Sequence, residues 1–142
     1  MKSLQPISNA KKAAMSGKLD DAERILRQVV ISDPSNLQGW YTLACVLMDM
    51  RRPHHAAEVF GQALRVKPDH PDALVGMARA QAAIGNLPQA LAAAKRATSV
   101  DPNSAAAWIE LTRRHRVMSH TKDALDAAKR AESLAPRDSD AL

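Results

Sequence analysis

The fold is decided by residues 37–70, whose sequence is LQGWYTLACVLMDMRRPHHAAEVFGQALRVKPDH. Its apolar side chains recur at the spacing of an α-helix, first in a stripe that begins at Trp40 and then in a second stripe that ends at Leu64. Pro53 marks a break between the two stripes, and Pro68 follows the second one. The stretch therefore predicts two amphipathic helices joined by a short turn.

The pattern repeats along the chain with a period of 34 residues. Two ladders of identical residues show the period: Pro34, Pro68, Pro102 and Pro136, and Ala22, Ala56, Ala90 and Ala124. Each of the eight prolines falls at the start or the end of a predicted helix, where its missing backbone donor does no harm. We therefore predict an all-α array of four helix hairpins, formed by residues 3–36, 37–70, 71–104 and 105–138.

The repeat unit resembles the tetratricopeptide repeat (TPR) family, whose pattern is W-x2-L-G-x2-Y, then A-x3-F, then P. The second repeat follows this pattern with Trp40, Leu43, Ala44, Leu47, Ala56, Phe60 and Pro68. Ala44 replaces the glycine and Leu47 replaces the tyrosine, and both replacements keep the size class that helix packing needs at these points. The resemblance covers residues 3–138 and implies a right-handed superhelix of about four hairpins.

The two ends of the array depart from the regular pattern. The first repeat carries the polar Asn9 on its leading helix, so residues 3–36 are interpreted as an N-terminal cap with a more polar outer face. Residues 139–142 are interpreted as the opening of a further repeat, which favours a fragment of a longer protein. The competing expectation is that the terminal helix meets another subunit and drives self-association.

Composition excludes several classes of protein. The net charge of +5 is spread over all four repeats, and only 3% of the residues are aromatic. Both features make nucleic-acid binding the least favoured function for this sequence. The single cysteine excludes an internal disulfide framework. No stretch has the apolar core of a signal peptide or the length of a membrane span. We therefore expect a cytoplasmic protein that does not act at a membrane.

The sequence contains no motif of a catalytic or cofactor site. It lacks a G-x-S-x-G elbow, a phosphate-binding glycine loop, a Cys-x-x-Cys pair and an H-E-x-x-H helix. The adjacent carboxylates of Asp20 and Asp21 are interpreted as favourable charge at a helix start and not as an acid/base pair. We therefore expect no enzymatic activity and no cofactor.

Neither pair of neighbouring histidines has the spacing of three or four residues that a metal site on one helix face requires. His54 and His55 are adjacent, whereas His115 and His120 flank a helix break. We therefore expect all four to be solvated turn residues and expect no bound metal. Cys45 lies within a predicted helix and is interpreted as a small packing residue and not as a redox centre.

The TPR resemblance implies that the first helix of each repeat lines a concave groove. The groove residues that it assigns here are Lys11, Tyr41, Met48, Val75, Arg79, Ile109, Arg113 and Arg116. They predict an apolar floor with cations along it, and hence a scaffold that binds an acidic or C-terminal peptide segment of a protein partner. The alternative is that the arginines are solvated and pair with Asp49, Asp72 or Glu110.

Two other functions can be compared with this one. Chaperone-binding members of the family hold a terminal carboxylate with a clamp of Lys and Asn, at positions that here carry Ile7, Lys11 and Thr42, or Tyr41, Cys45 and Gly76. Binding of a chaperone tail is therefore disfavoured. The alternative function is an N-terminal assembly module of a longer protein that carries a downstream enzymatic domain, for example a transferase.

Overall fold

The computed structural model describes residues 4–134, and within this range every regular element is an α-helix. The eight helices are α1 (Leu4–Met15), α2 (Leu19–Ser32), α3 (Leu37–Asp49), α4 (Pro53–Val66), α5 (Pro71–Ile84), α6 (Leu87–Val100), α7 (Ala105–Val117) and α8 (Thr121–Leu134). None of these eight helices combines the length and the apolar character needed to cross a bilayer. The predictions for Pro136 and for residues 139–142 lie outside the described residues.

The helices pack as consecutive hairpins that stack side by side. Each odd-numbered helix packs against the even-numbered helix that follows it, and each even-numbered helix packs against the first helix of the next hairpin. The odd-numbered helices also contact one another, whereas the even-numbered helices of the described chain do not. The array therefore curves toward α1, α3, α5 and α7, which form its inner face, and the predicted all-α superhelix of four hairpins is confirmed.

Small side chains allow the helices to approach closely. The alanine ladder is buried along the array, since Ala22, Ala56 and Ala90 have no exposed surface and Ala124 has little. Larger side chains fill the space between hairpins, and Phe60 is the bulkiest of those that are fully buried. The recurring alanines are therefore the points at which the helices touch.

Replacing Ala90 by leucine is expected to lower the free energy of unfolding by about 1–3 kcal/mol, because the added methyl groups find no space in a close helix contact. Urea denaturation followed by circular dichroism measures the change. Ala92 lies on the same helix but is exposed, so Ala92→Leu is the matched control and should change stability by less than about 0.5 kcal/mol. Equal stability of the two variants would show that position 90 is not tightly packed.

Two of the ladder prolines, Pro34 and Pro102, accept a hydrogen bond from a tryptophan side chain. Trp40 Nε1 donates a hydrogen bond to the carbonyl oxygen of Pro34 at 2.6 Å, and Trp108 Nε1 donates to that of Pro102 at 2.8 Å. Each bond fastens the first helix of a hairpin to the loop before it. The tryptophans of the second and fourth repeats therefore help to hold these hairpins against the loops that join them to the preceding hairpins.

Polar side chains cap three of the inner-face helices. The side chains of Asn36 and Ser104 accept the backbone N–H of the residue three positions further on, at 2.9 and 3.2 Å. His70 Nδ1 accepts the N–H of Ala73 at 3.0 Å, so a histidine caps α5. The starts of α3, α5 and α7 are thus each stabilised by a capping side chain at the corresponding position of the repeat.

Candidate functional site

A cavity of about 520 Å³ opens on the inner face. Among its lining residues are four of the eight predicted groove residues, Tyr41, Met48, Val75 and Arg79. Two of these side chains come from α3 and two from α5, so the cavity exists only because neighbouring hairpins are stacked. We call it the central cavity.

The groove continues toward the N-terminal hairpin. A second cavity, of about 310 Å³, is lined by Lys11 of α1 and shares Tyr41, Cys45 and Asp49 with the central cavity. The two cavities are therefore adjoining parts of one groove that runs along the inner face. Lys11 is exposed at its N-terminal end.

The polar groups of the central cavity include two carboxylates. Asp49 of α3 and Asp72 of α5 line it together with Arg79. The middle of the groove, between α3 and α5, therefore carries acidic groups as well as the cation of Arg79.

Two weakly acidic side chains in the groove stay protonated at neutral pH. Burial raises the pKa of the Tyr41 hydroxyl, and the nearby Cys45 adds to the effect. Burial likewise raises the pKa of the Cys45 thiol. Tyr41 can therefore donate a hydrogen bond to a ligand, and Cys45 has little thiolate with which to react.

The C-terminal end of the groove carries a cluster of arginines around one buried glutamate. Glu110 of α7 has no exposed surface. Its Oε1 accepts a hydrogen bond from Arg79 Nε at 3.0 Å and lies 3.6 Å from Arg113 Nη1. Its Oε2 lies 2.9 Å from Arg114 Nε, an ion pair without hydrogen-bond geometry. We call these four residues the Glu110 cluster.

The Glu110 cluster has more positive than negative charge. One carboxylate faces three guanidinium groups, which leaves two positive charges in excess. The side chains of Arg79 and Arg113 are 50% and 54% exposed, whereas that of Arg114 is 13% exposed. Arg114 therefore neutralises the buried glutamate, and Arg79 and Arg113 keep N–H donors in contact with solvent.

The remaining predicted groove residues lie on α7. Arg116 lines a shallow cavity of about 360 Å³ together with Arg113, Arg114 and Val117. Ile109 is exposed on the same helix, outside the residues that line the three cavities. The structure thus brings Arg79 and Arg113 together on one glutamate and places Arg116 beside Arg113.

The sequence indicates Glu110 as one of three alternative partners for the arginines, but it does not indicate that Glu110 contacts three of them. The available signal was the spacing, since Arg113 and Arg114 follow Glu110 by three and four residues and share its helix face. The third contact, from Arg79 on α5, depends on the stacking of hairpins and has no local signal.

The expectation that all four histidines are solvated was wrong for His115. This residue is only 5% exposed and its ring lies against that of His120. The reason is its place in the repeat, because it corresponds to the buried Leu47 of the second repeat. Burial lowers the pKa of His115, Asp123 opposes this effect, and His120 and Lys95 reinforce it. His54 and His55 are exposed, as predicted.

Comparisons with known proteins agree with this architecture. A sequence profile described as tetratricopeptide repeat matches residues 47–114. No curated protein sequence shows a significant match to the chain.

Several solved structures share the fold. A crystal structure of MamA has a TM-score of 0.81 and 24% identity, over 89% of this chain and 74% of that chain. TTC0263, a thermophilic TPR protein of Thermus thermophilus, has a TM-score of 0.82 and 19% identity, over 93% of this chain and 74% of that one. The first TPR of Spaghetti (RPAP3), bound to the HSP90 peptide SRMEEVD, has a TM-score of 0.78 and 20% identity, over 83% of this chain and 94% of that chain. With its 34-residue hairpins, its profile match and these structural neighbours, the chain is similar to tetratricopeptide repeat proteins and shares their fold.

Proposed function

We propose that this chain is a non-enzymatic scaffold whose inner face binds an acidic or C-terminal peptide segment of a partner protein. The observation that carries the proposal is the Glu110 cluster, in which Arg79 and Arg113 are anchored by a buried carboxylate and remain half exposed. The cluster borders the central cavity, because Arg79 belongs to both. Arginines that can bind a carboxylate thus lie next to a cavity that can take an apolar side chain.

The anchored arginines are suited to bind carboxylates. A guanidinium group has five N–H donors in a fixed fork, and Glu110 offers only two oxygens to three such groups. Donors that Glu110 does not use remain for a carboxylate of the partner. Since the glutamate already orients Arg79 and Arg113, a ligand loses less side-chain entropy on binding than it would with free arginines.

The central cavity is suited to take an apolar side chain of the same segment. Its volume of about 520 Å³ lies within the usual range of about 300–1,000 Å³ for ligand pockets. Tyr41, Met48 and Val75 supply contact area there, whereas Asp49 and Asp72 repel anionic residues. The segment is therefore expected to place its acidic residues at α7 and its apolar or neutral residues between α3 and α5.

Recognition by arginines differs from the lysine and asparagine clamp expected of chaperone-binding relatives. The RPAP3 structure holds the acidic peptide SRMEEVD, whereas this chain has Ile7, Lys11 and Thr42 at clamp positions. An acidic ligand remains compatible with the inner face, but its carboxylates would bind Arg79, Arg113 and Arg116. The proposal therefore concerns acidic segments in general and not a chaperone tail.

Fluorescence anisotropy with three labelled peptides tests the proposal. The peptides share one central leucine and differ only in whether its neighbours are glutamate, glutamine or lysine, and the glutamate peptide is made with a free and with an amidated C-terminus. We expect the glutamate peptide to bind best, in the micromolar range, and to weaken as salt is raised. The amidated form shows how much a terminal carboxylate contributes.

Arg113→Gln combined with Arg116→Gln is expected to weaken binding of the glutamate peptide at least about tenfold, since contacts to charged groups are lost at two positions. The matched control is Arg65→Gln combined with Arg130→Gln, which removes the same charge from positions on α4 and α8, away from the inner face. An equal loss in both double variants would mean that net charge alone attracts the peptide. No loss in the first would exclude this end of the inner face as the site.

A further inference from the structure

The turn between α7 and α8 brings together three side chains of the kinds that bind transition metals. His115 Nδ1 and His120 Nδ1 are 3.2 Å apart, and the ligand atoms of these two residues and Asp123 all lie within 4.8 Å of one another. None of the three residues lines the cavities of the inner face. The cluster therefore needs an explanation separate from peptide binding.

The backbone of the turn fixes the two histidines side by side. The N–H of His120 donates to the carbonyl oxygen of His115 at 2.8 Å, and the intervening Ser119 has a left-handed φ of 62°. The other three turns contain the same backbone bond, from Lys18 to Ala13, from Arg52 to Leu47 and from Asn86 to Gln81. The backbone geometry of this turn is thus common to all four repeats, which differ in the side chains that they carry there.

The third hairpin shows what these positions do without metal ligands. Gln81 and Asn86 correspond to His115 and His120, and their side-chain amides form a hydrogen bond of 2.9 Å across the turn. Gln89 corresponds to Asp123. A pair of amides is therefore enough to join the side chains of this turn, so the fold does not require imidazoles or a carboxylate here.

We infer that His115, His120 and Asp123 form a binding site for Zn²⁺. Zinc–nitrogen bonds of about 2.0–2.1 Å place two imidazole nitrogens about 3.3 Å apart on a tetrahedral ion, and the two Nδ1 atoms are 3.2 Å apart. Asp123 is exposed, so its carboxylate is free to turn toward the same point. Three protein ligands leave the fourth position of the ion to water.

The surroundings hold the ligands in place. His115 is buried in α7, and the backbone bond holds the main chain of His120 beside it. The two Nδ1 atoms therefore already lie close together before an ion binds. Zinc takes neutral imidazole nitrogens as ligands, and the carboxylate of Asp123 offsets part of the charge of the ion. The mixture of imidazole and carboxylate favours zinc over Mg²⁺, which prefers oxygen ligands alone.

Titration calorimetry of the tag-free chain with ZnCl₂ tests the inference. After treatment with EDTA and dialysis, the chain is expected to bind one zinc ion with a saturable isotherm and to show a rise in Tm with zinc concentration. MgCl₂ should produce neither effect. Absence of saturable heat and of a Tm shift with zinc would overturn the inference.

The third hairpin supplies the matched variant. The combination His115→Gln, His120→Asn and Asp123→Gln gives the fourth turn the side chains of the third, so the fold should be retained while zinc binding and the zinc-dependent rise in Tm are lost. The control His54→Gln with His55→Gln removes the other neighbouring pair and should bind zinc as the natural chain does. Zinc binding that survives in the triple variant, or disappears in the control, would place the ion elsewhere.

Histidine ring resonances of the natural chain give a second measurement, which does not depend on whether the triple variant folds. Zinc should shift the ring signals of His115 and His120 and leave those of His54, His55 and His70 in place. The opposite pattern would contradict the assignment. These measurements do not use a peptide, so their result is independent of the proposed function.

Discussion

Replacing Glu110 by alanine is expected to lower the free energy of unfolding by about 3–5 kcal/mol, the range measured when one partner of a buried ion pair is removed. The carboxylate has no exposed surface, and its neighbour Arg114 is only 13% exposed. Without Glu110, the guanidinium of Arg114 would remain buried with no counter-charge. Arg79 would also lose the acceptor of its 3.0 Å hydrogen bond.

Urea denaturation of the natural chain and of the variant measures this loss. Glu132 is exposed on α8, so Glu132→Ala is the matched control and should change stability by less than about 0.5 kcal/mol. Glu110→Gln keeps the shape of the side chain and removes its charge, and we expect it to lie between the two. A loss below about 1 kcal/mol for Glu110→Ala would mean that the arginines do not depend on the glutamate.

Replacing Gly76 by alanine is expected to cost about 3 kcal/mol, at the upper end of the range for overpacking. A Cβ atom at this position would overlap with Cε1 and Cζ of Phe60. Phe60 is almost completely buried, so its ring cannot move away from position 76 without disturbing the side chains packed against it. The strain would fall on the contact between α4 and α5 and on the wall of the central cavity, which both residues line.

Gly61 on α4 provides the control for this substitution. Its added Cβ would find only Met77 Cε, at 3.9 Å, which is an ordinary contact. Gly61→Ala should therefore be neutral or should stabilise the chain by up to about 1 kcal/mol, because alanine favours the helix more than glycine does. Thermal or urea denaturation of both variants compares the two positions. A stable Gly76→Ala variant would show that α4 and α5 are packed less closely than described.

The fold could be predicted from the sequence because its period is strict. The alanine ladder marks helix contacts, and Trp40 and Trp108 bond to the carbonyls of the ladder prolines Pro34 and Pro102. Each of these relations is local or repeats with the same spacing, so it leaves a pattern that can be read without knowledge of the tertiary structure.

The charge distribution of the groove could not be predicted in the same way. Tyr41, Met48, Val75 and Arg79 line one cavity, and their role in peptide binding stays a prediction. The pairing of Arg79 with Glu110, however, joins residues on α5 and α7 that are 31 positions apart. It depends on side-chain reach between neighbouring hairpins, which a helical pattern does not contain.

The histidine cluster also could not be predicted from helical spacing. Metal ligands on one helix face are three or four residues apart. His115 and His120 are five apart and come together because a turn reverses the chain between them. The left-handed residue and the backbone bond that shape this turn recur in all four hairpins, but they became evident only from the structure.

The most direct test of the proposed peptide site is an NMR titration of the ¹⁵N-labelled chain with the glutamate peptide, observed at the arginine Nε–Hε signals. We predict that the signals of Arg79 and Arg113 shift in a saturable manner as the peptide binds, and that those of Arg65 and Arg130 on α4 and α8 do not move. Shifts of equal size at all four arginines, or shifts confined to Arg65 and Arg130, would contradict the assignment of acidic-peptide binding to the inner face.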